Sequence, residues 1–162
     1  MKLVESIKSA FAHRVHPEMD ESFVSYDESE QEDLKYFHSK DWDGITSTDL
    51  REYDSAFSFF TSCAFAYYLP ALMMISYVEN RADFAAIDSI TYQLDRSPNI
   101  NYWGNDFKER WCSFDKSEYD VIEAWLTWLF VEHAEQFLYA NTGDRCVATI
   151  KLLRAIAAEK RV

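Results

Sequence analysis

The sequence predicts an all-α fold, a single-domain helical bundle of about six helices that occupies residues 1–162. Glycine and proline contribute only three residues each, so few tight turns can form and the regular elements must be long. The one two-residue hairpin signal, Asp43-Gly44, lies in a stretch, residues 40–50, that does not alternate apolar and polar side chains as paired strands do. Long elements without hairpins indicate helices.

The first predicted helix ends before Pro17, because the residue that precedes a proline disfavours helical geometry. An acidic connector is expected at about residues 18–33, followed by a short segment at 34–38 and an amphipathic helix from about Thr48 to Phe60. The apolar face of the first helix comprises Leu3, Ile7 and Phe11.

A window without any charged residue, 55–78, is long enough to cross a bilayer. It is flanked by Asp54 and Glu79 instead of basic residues and contains several serines and threonines, so we expect no membrane span. Thr61 is suited to cap a new helix, and the window is therefore expected to hold parts of two packed helices. Pro70 lacks an amide hydrogen, so it is expected to kink or restart the second of them.

The second half of the chain has clear helix signals. An amphipathic segment covers residues 81–94. Asp115 and Glu118 have the spacing of a capping box, which predicts a long helix that runs from there toward Tyr139. A last helix is expected from Asp144.

The three cysteines, Cys63, Cys112 and Cys146, are widely separated and include no Cys-x-x-Cys pair. This pattern is typical of free thiols in a reducing compartment, and we expect them to be buried. Charges at Glu5 and Lys8 interrupt the N-terminal residues, which therefore lack the continuous apolar core of a secretory signal. Both observations favour a cytoplasmic protein.

The sequence contains none of the short motifs that mark common enzyme classes: glycine-rich phosphate loops, GxSxG and HExxH are absent. His13, His16 and Glu18 are close enough in sequence to suggest a metal site, but the proline between the last two is expected to end the helix that would align them. Glu132-His133-x-Glu135 suggests an acid–base cluster but is more typical of a solvated helix face. We expect no enzymatic activity, no metal and no cofactor.

Charge is the most informative property of this chain. The formal net charge is −12, and residues 18–54 contain thirteen acidic and three basic side chains. Phosphate groups bind basic surfaces, so this distribution argues against nucleic acid and anionic lipid as ligands. A basic protein is the expected partner, because complementary charge speeds association and discriminates against wrong partners.

Aromatic residues, among them Tyr36, Phe37 and Trp42, interleave with the acids of this region. Such side chains are the anchors that tight protein interfaces need. An acidic surface is also ordinary in a cytosolic protein, and the same aromatics would then pack beneath the chain. The predicted partner-binding residues are Glu18, Asp20, Glu21, Asp27, Glu28, Glu30, Glu32, Asp33, Trp42 and Asp43.

An opening helix, an acidic stretch and Trp42 precede the segment Ala64–Ala71, which reads AFAYYLPA, and the Phe114-Asp115 helix start follows it. This order resembles a family of small bacterial proteins of unknown function, in which an A-F-x-Y-Y-L-P-A segment is the most recognisable part. The resemblance extends over most of the chain. It implies a bacterial helical domain and carries no activity with it.

Two functions are consistent with these residues. The first is an immunity protein that neutralises a basic, nuclease-type bacterial toxin by blocking its active site with the acidic region. The second is a small-ligand-binding protein or enzyme with a pocket among the core aromatics. Those aromatics are Tyr67, Tyr68, Trp103, Trp111, Trp125 and Trp128. The charge distribution favours the first.

Overall fold

Helices are the only regular secondary structure among the residues that the computed structural model describes, which are 2–18, 28–137 and 141–160, with the side chains of 28–31 outside the description. These residues form nine α-helices, so the all-α prediction is confirmed but about six helices is too few. Short 3₁₀ helices lie at Trp42–Gly44, Ile100–Tyr102 and Ala134–Gln136. The α-helices are α1 (Lys2–Phe11), α2 (Glu28–His38), α3 (Ser47–Glu52), α4 (Ala56–Phe59), α5 (Ser62–Val78), α6 (Ala85–Leu94), α7 (Asn105–Trp111), α8 (Lys116–Glu132) and α9 (Thr142–Lys160).

The region predicted as an acidic connector is partly helical. Because α2 begins at Glu28, residues 28–33 belong to a helix, while residues 19–27 lie outside the described part of the chain. Leu34 and Phe37 of α2 are buried in the core. These two side chains, three positions apart, form the apolar stripe that packs α2 against the core. The many acidic residues of α2 make this stripe hard to recognise in the sequence.

The helix predicted from Thr48 to Phe60 is broken into α3 and α4. At the break, Tyr53 stacks on Tyr36 of α2 with ring centroids 3.9 Å apart, and the Ser55 hydroxyl donates to Asp33 of α2 at 2.8 Å. The break between α3 and α4 therefore coincides with contacts to α2. No local sequence pattern predicts these contacts, because their residues are far apart in the chain.

The capping box predicted for α8 is present: the amides of Glu118 and Asp115 each donate to the other residue's carboxylate, at 2.9 and 2.8 Å. The helix ends at Glu132, however, well before Tyr139, which lies outside the described residues. After the end of α8 the chain folds back, and Phe137 packs on Phe130 with ring centroids 4.7 Å apart. The start was predictable because capping is local, whereas the end depends on this packing.

Other boundaries also differ from the prediction. The amphipathic segment expected at 81–94 becomes helical only from Ala85, and the last helix begins at Thr142, before Asp144. Residues 105–111 form α7, a helix that the sequence did not predict. Its Phe107 and Trp111 face the core.

The charge-free window contains α4 and α5, as predicted, and burial explains its lack of charge. Thr61 caps α5 by accepting the Ala64 amide at 3.2 Å, and every residue from Ala64 to Met73 is buried. α1, α7 and α8 pack against α5. Pro70 lies inside α5, which continues on both sides, so the predicted restart does not occur. None of the helices in the described ranges combines the length and apolarity needed to cross a membrane.

All three cysteines are free, but they are not all buried as predicted. Cys146 is buried and its thiol donates to the Thr91 carbonyl; burial raises the pKa of this thiol to about 12. Cys112 is half-buried, and Cys63 is exposed. Cys63 lies in the first turn of α5, ahead of the buried stretch that begins at Ala64.

Tyr68 joins the central helix α5 to α2. Its ring stacks on Phe60 at 5.0 Å, and its hydroxyl donates to the Phe37 carbonyl at 2.6 Å and lies 3.0 Å from the Lys40 carbonyl. Carbonyls at the C-terminal end of a helix lack intrahelical partners, and the Phe37 carbonyl accepts both this hydroxyl and the Lys40 amide, the latter at 3.0 Å. Burial raises the pKa of Tyr68 and keeps it a neutral donor.

A buried ion pair joins the end of α1 to the start of α8. Arg14 Nε and Nη2 donate to the two carboxylate oxygens of Glu118, each at 2.6 Å, and Nη2 also donates to the Ser113 carbonyl at 2.9 Å. The Glu118 side chain is 0% exposed and that of Arg14 is 19% exposed. Burial alone would lower the pKa of Arg14, but Glu118 raises it. One carboxylate thus completes the α8 capping box and holds α1.

Replacing Arg14 by methionine should lower the free energy of unfolding by about 3–5 kcal/mol, because it leaves the Glu118 charge buried and unpaired. Equilibrium urea unfolding, followed by tryptophan fluorescence, measures this loss. An R14M/E118Q double variant should recover part of it. The control is Lys116→Met, which breaks the exposed pair with Asp120 (2.8 Å) and should change stability little. Equal stabilities of R14M and K116M would refute this role.

Candidate protein-binding surface

The carboxylate of Asp49 fixes α3 to α2. Asp49 closes a capping box with Thr46 and is only 4% exposed. It accepts hydrogen bonds from the Tyr36 hydroxyl at 2.6 Å, the Thr46 amide at 2.9 Å and Lys40 Nζ at 3.0 Å. Burial alone would raise the pKa of Asp49, but these bonds outweigh it and lower the pKa to about 2. The carboxylate therefore stays charged and holds three segments together.

Two stacked tyrosines lie beside Asp49. Tyr36 and Tyr53 are both half-buried, and their rings are inclined by only 17°. Burial raises the pKa of Tyr53, and the neighbouring Tyr36 hydroxyl and the carboxylates of Glu52 and Asp33 act in the same direction. The stack is thus flanked by acidic groups from both helices.

Trp42 and two acidic neighbours lie on the 3₁₀ turn that packs on α5. The Tyr67 hydroxyl of α5 donates to Asp41 Oδ1 at 3.0 Å. Burial and this bond raise the pKa of Tyr67 to about 12, and the charge of Asp43 contributes in the same direction. Trp42 is half-buried, and Asp41 and Asp43 are exposed.

We call the residues of α2, this turn and the end of α3 the acidic face. Its members are Glu32, Asp33, Tyr36, Asp41, Trp42, Asp43, Glu52 and Tyr53. Glu32, Asp33, Trp42 and Asp43 are predicted partner-binding residues, so the structure brings four of that set to the segments that meet around Asp49 and Tyr67.

The structure gives less information on the other predicted partner-binding residues. Glu18 is exposed and follows Pro17, whose carbonyl oxygen lies 3.0 Å from Nε2 of His38 at the end of α2. Glu28 and Glu30 lie in α2 with side chains outside the description, and Asp20, Glu21 and Asp27 lie outside the described residues. Phe37, expected among the interface aromatics, is instead fully buried, because it packs against Phe57 and Phe60.

The carboxylates of the acidic face are uncompensated. Glu32, Asp33, Asp41, Asp43 and Glu52 form no ion pair with any basic residue in the part of the chain that the structure describes. Asp95, which directly follows α6, and two acids of α8, in contrast, pair with bases of α9: Asp95 with Arg145, Asp120 with Arg154, and Glu123 with Lys151 and Arg154. The carboxylates of the acidic face therefore keep their negative charge, which can act on a partner.

The residues predicted from the sequence to bind a partner do not include Asp41, Glu52 and Tyr53 of the acidic face. It places Glu52 and Tyr53 in one long helix, with Tyr53 on its apolar side. The spacing of Thr46 and Asp49 is a capping signal for a helix that begins at Ser47. That signal locates α3 but does not reveal that Tyr53 stacks on Tyr36.

His13 and His16, which the sequence groups with Glu18, belong to two different clusters of side chains. His13 Nε2 lies 3.6 Å from Asp115 and 3.7 Å from Glu118, and the three residues place possible metal ligands within 4.8 Å of one another. Arg14, however, already donates to both oxygens of Glu118. Its guanidinium supplies the cation that this carboxylate needs and opposes a second one.

His16 takes part in a different cluster. Its Nδ1 lies 2.9 Å from the Pro17 carbonyl oxygen, and its ring packs edge-on against His38 and Tyr67, with centroids 4.8 and 5.1 Å away. These contacts attach the segment after α1 to α2 and α5. Packing and hydrogen bonding thus give His16 a structural role.

The Glu132-His133-x-Glu135 group does not form an acid–base pair. The His133 ring packs edge-on against Trp128 with centroids 5.3 Å apart. Its Nε2 is buried and has no hydrogen-bond partner within the described ranges. Both glutamates are exposed, and neither forms an ion pair with it there.

The family model DUF6714, a family of unknown function, matches residues 2–142. The chain belongs to this family. The match confirms the resemblance to a family of unknown function and covers α1 to α8, whereas α9 lies outside it except for Thr142. No curated protein and no solved structure matches the chain.

The aromatics considered for a ligand pocket fill the core. Five are buried, and Trp128 is half-buried against Tyr77. The indole N–H groups of Trp111 and Trp125 donate to Gln93 and Ser76, so their polar atoms are satisfied inside the protein. The buried five are Tyr67, Tyr68, Trp103, Trp111 and Trp125.

Replacing Asp49 by asparagine should remove part of the protein's acid sensitivity. The pKa of Asp49 falls from 3.8 to about 2 on folding, so its charge adds stability above pH 3.8 that is lost as the pH falls toward 2. This contribution is about 2 kcal/mol. Urea unfolding from about pH 5 to pH 2 should therefore show a steeper loss of stability for the wild type than for D49N. If the stabilities of the wild type and D49N fell in parallel with pH, this role of Asp49 would be contradicted.

Proposed function

We propose that this chain is an inhibitor that binds a basic protein through the acidic face, and that it acts as an immunity protein against a basic, nuclease-type bacterial toxin. The observation that supports the proposal is the set of uncompensated carboxylates grouped around half-buried aromatics. A nuclease active site is commonly a basic cleft that receives phosphates. Carboxylates inserted into such a cleft take the place of phosphates and block substrate entry.

Two carboxylates of the acidic face are oriented by neutral donors. The Ser55 hydroxyl holds Asp33 at 2.8 Å, and the Tyr67 hydroxyl holds Asp41 at 3.0 Å. A neutral donor fixes the direction of a carboxylate without cancelling its charge. Binding a cationic surface therefore costs less side-chain entropy than it would with freely rotating acids.

The aromatic side chains of the acidic face are expected to slow dissociation of the complex, which charge alone does not do. Exposed charges mainly raise the association rate, whereas partly desolvated aromatic side chains slow dissociation. Trp42 and the Tyr36–Tyr53 stack are half-buried, so their exposed edges can pack against a partner while their inner edges stay anchored. Tryptophan and tyrosine are the residues most enriched at energetic centres of interfaces.

The direct test uses the protein encoded beside this chain's gene in its own genome. We expect that protein to be basic, to arrest growth when expressed alone in a bacterial host, and to be neutralised by coexpression of this chain. Purified together, the two should form a complex whose Kd weakens as salt is raised. Binding to an unrelated basic protein such as lysozyme is the control. Equal binding to both, or no protection in the host, would refute the immunity role.

Charge reversal of the acidic face should weaken the complex. Replacing Glu32, Asp43 and Glu52 by lysine should raise the Kd at least about tenfold at low salt and less at high salt, because screening suppresses the lost attraction. Isothermal titration calorimetry over a salt series measures this effect. A matched control reverses three other exposed acids, Glu109, Glu132 and Glu159, which gives the same net charge. Equal losses in both variants would show that only total charge matters.

Trp42 tests the aromatic part separately. Replacing it by alanine should raise the Kd by about tenfold or more, with little dependence on salt, because an apolar anchor is lost instead of a charge. Surface plasmon resonance should assign the effect to a faster dissociation rate. The half-buried Trp128 is the matched control, and W128A should leave the Kd unchanged. A W42A complex that dissociates at the wild-type rate would exclude Trp42 from the interface.

A further inference from the structure

A cavity of about 590 Å³ lies between α8 and α9. Its volume falls within the range of small-molecule sites, roughly 300–1,000 Å³. The apolar part of its lining includes the rings of Phe114 and Tyr119 and the methyl groups of Ala155 and Ala158. Because alanine side chains are short, this part of α9 leaves space beside the aromatic rings that leucine or phenylalanine would fill.

The polar part of the lining is basic. Lys116, Lys151 and Arg154 line the cavity, and none of the acidic residues in the described ranges does. Two carboxylates of α8 share these bases: Asp120 pairs with Lys116 at 2.8 Å and Arg154 at 2.6 Å, and Glu123 with Arg154 at 3.3 Å and Lys151 at 3.5 Å. Three cations thus face two anions. The cavity keeps a local positive excess on a protein whose net charge is −12.

We propose that this cavity binds a small anionic amphiphile, a carboxylate with a medium-length aliphatic or an aromatic body. The apolar body lies against Phe114, Tyr119 and the alanines, and the anionic group lies among Lys151, Arg154 and Lys116. Ligand sites of this size are mainly apolar with a few polar groups that orient the ligand, as here. The size of the cavity suits a small molecule, and the net negative charge of the protein disfavours a long polyanion.

This site is separate from the proposed function. The acidic face is built from α2, α3 and the turn between them, whereas the cavity is built from α8, α9 and Phe114. Five of the seven helical residues that line the cavity belong to α9, which lies outside the family match except for its first residue. The lining thus combines residues inside the matched region, Phe114, Lys116 and Tyr119, with residues of α9 beyond it.

Sodium decanoate is the test ligand, titrated into the whole protein by calorimetry below its micelle concentration, with tryptophan fluorescence as a second readout. We expect one molecule to bind per chain. Ala158→Leu fills the cavity and should raise the Kd at least about tenfold. Ala148→Leu, at an exposed alanine on the same helix, is the matched control and should bind as the wild type does. Thermal melts confirm that both variants fold.

The charge of the ligand is tested separately. Lys151→Gln should raise the Kd for decanoate about three- to fivefold, and Lys8→Gln in α1, an exposed lysine elsewhere, should not. Decanol, which has the same chain without the charge, should bind more weakly than decanoate. Equal binding of decanol and decanoate would overturn the anionic part of the proposal.

Three other results would overturn the site itself. These are no decanoate binding, an A158L variant that binds as tightly as A148L, and a dimer in light scattering that A158L dissociates. The last result would assign the cavity to a second copy of the chain. Failure on any of these leaves the acidic face and its partner unaffected, because the two sites share no residue.

Discussion

The burial of α5 is the constraint on which the rest of this structure depends. A charge on a helix surrounded by other helices is costly unless it is paired, and every polar atom that such a helix carries must find a partner inside the protein. Its two adjacent tyrosines meet this requirement by reaching outward: Tyr68 donates to the end of α2, and Tyr67 donates to Asp41. Satisfying the core helix thereby positions the turn and the helix that carry the acidic face.

Charge is treated in two different ways around this core. Toward α8 and α9, several acids form ion pairs with bases, from the buried pair of Arg14 and Glu118 to the exposed pairs along α9. Beside the acidic face, Asp49 is paired with Lys40, whereas the carboxylates of the face itself are held by hydroxyl groups or lie free of bases in the described ranges. Matched charges stabilise contacts within the chain, whereas unmatched charges remain available to attract a partner.

Local signals in the sequence located some features of the fold and the site. The capping residues Thr61 and Asp115 set the starts of α5 and α8, because a cap involves only a few consecutive residues. The acidic region and Trp42 indicated part of the surface for the same reason. Phe37 was misjudged, because whether an aromatic side chain in an acidic helix faces solvent or core depends on the helices that cover it.

The sequence by itself determined that the chain is helical, that α5 is apolar enough to be central, and that negative charge is concentrated near α2. These properties follow from composition and spacing. Only the tertiary structure decided that α3 and α4 are separate, that Tyr53 joins Tyr36, and which carboxylates are neutralised. Each of those outcomes depends on side chains from different helices meeting in space, and no short stretch of sequence contains both partners.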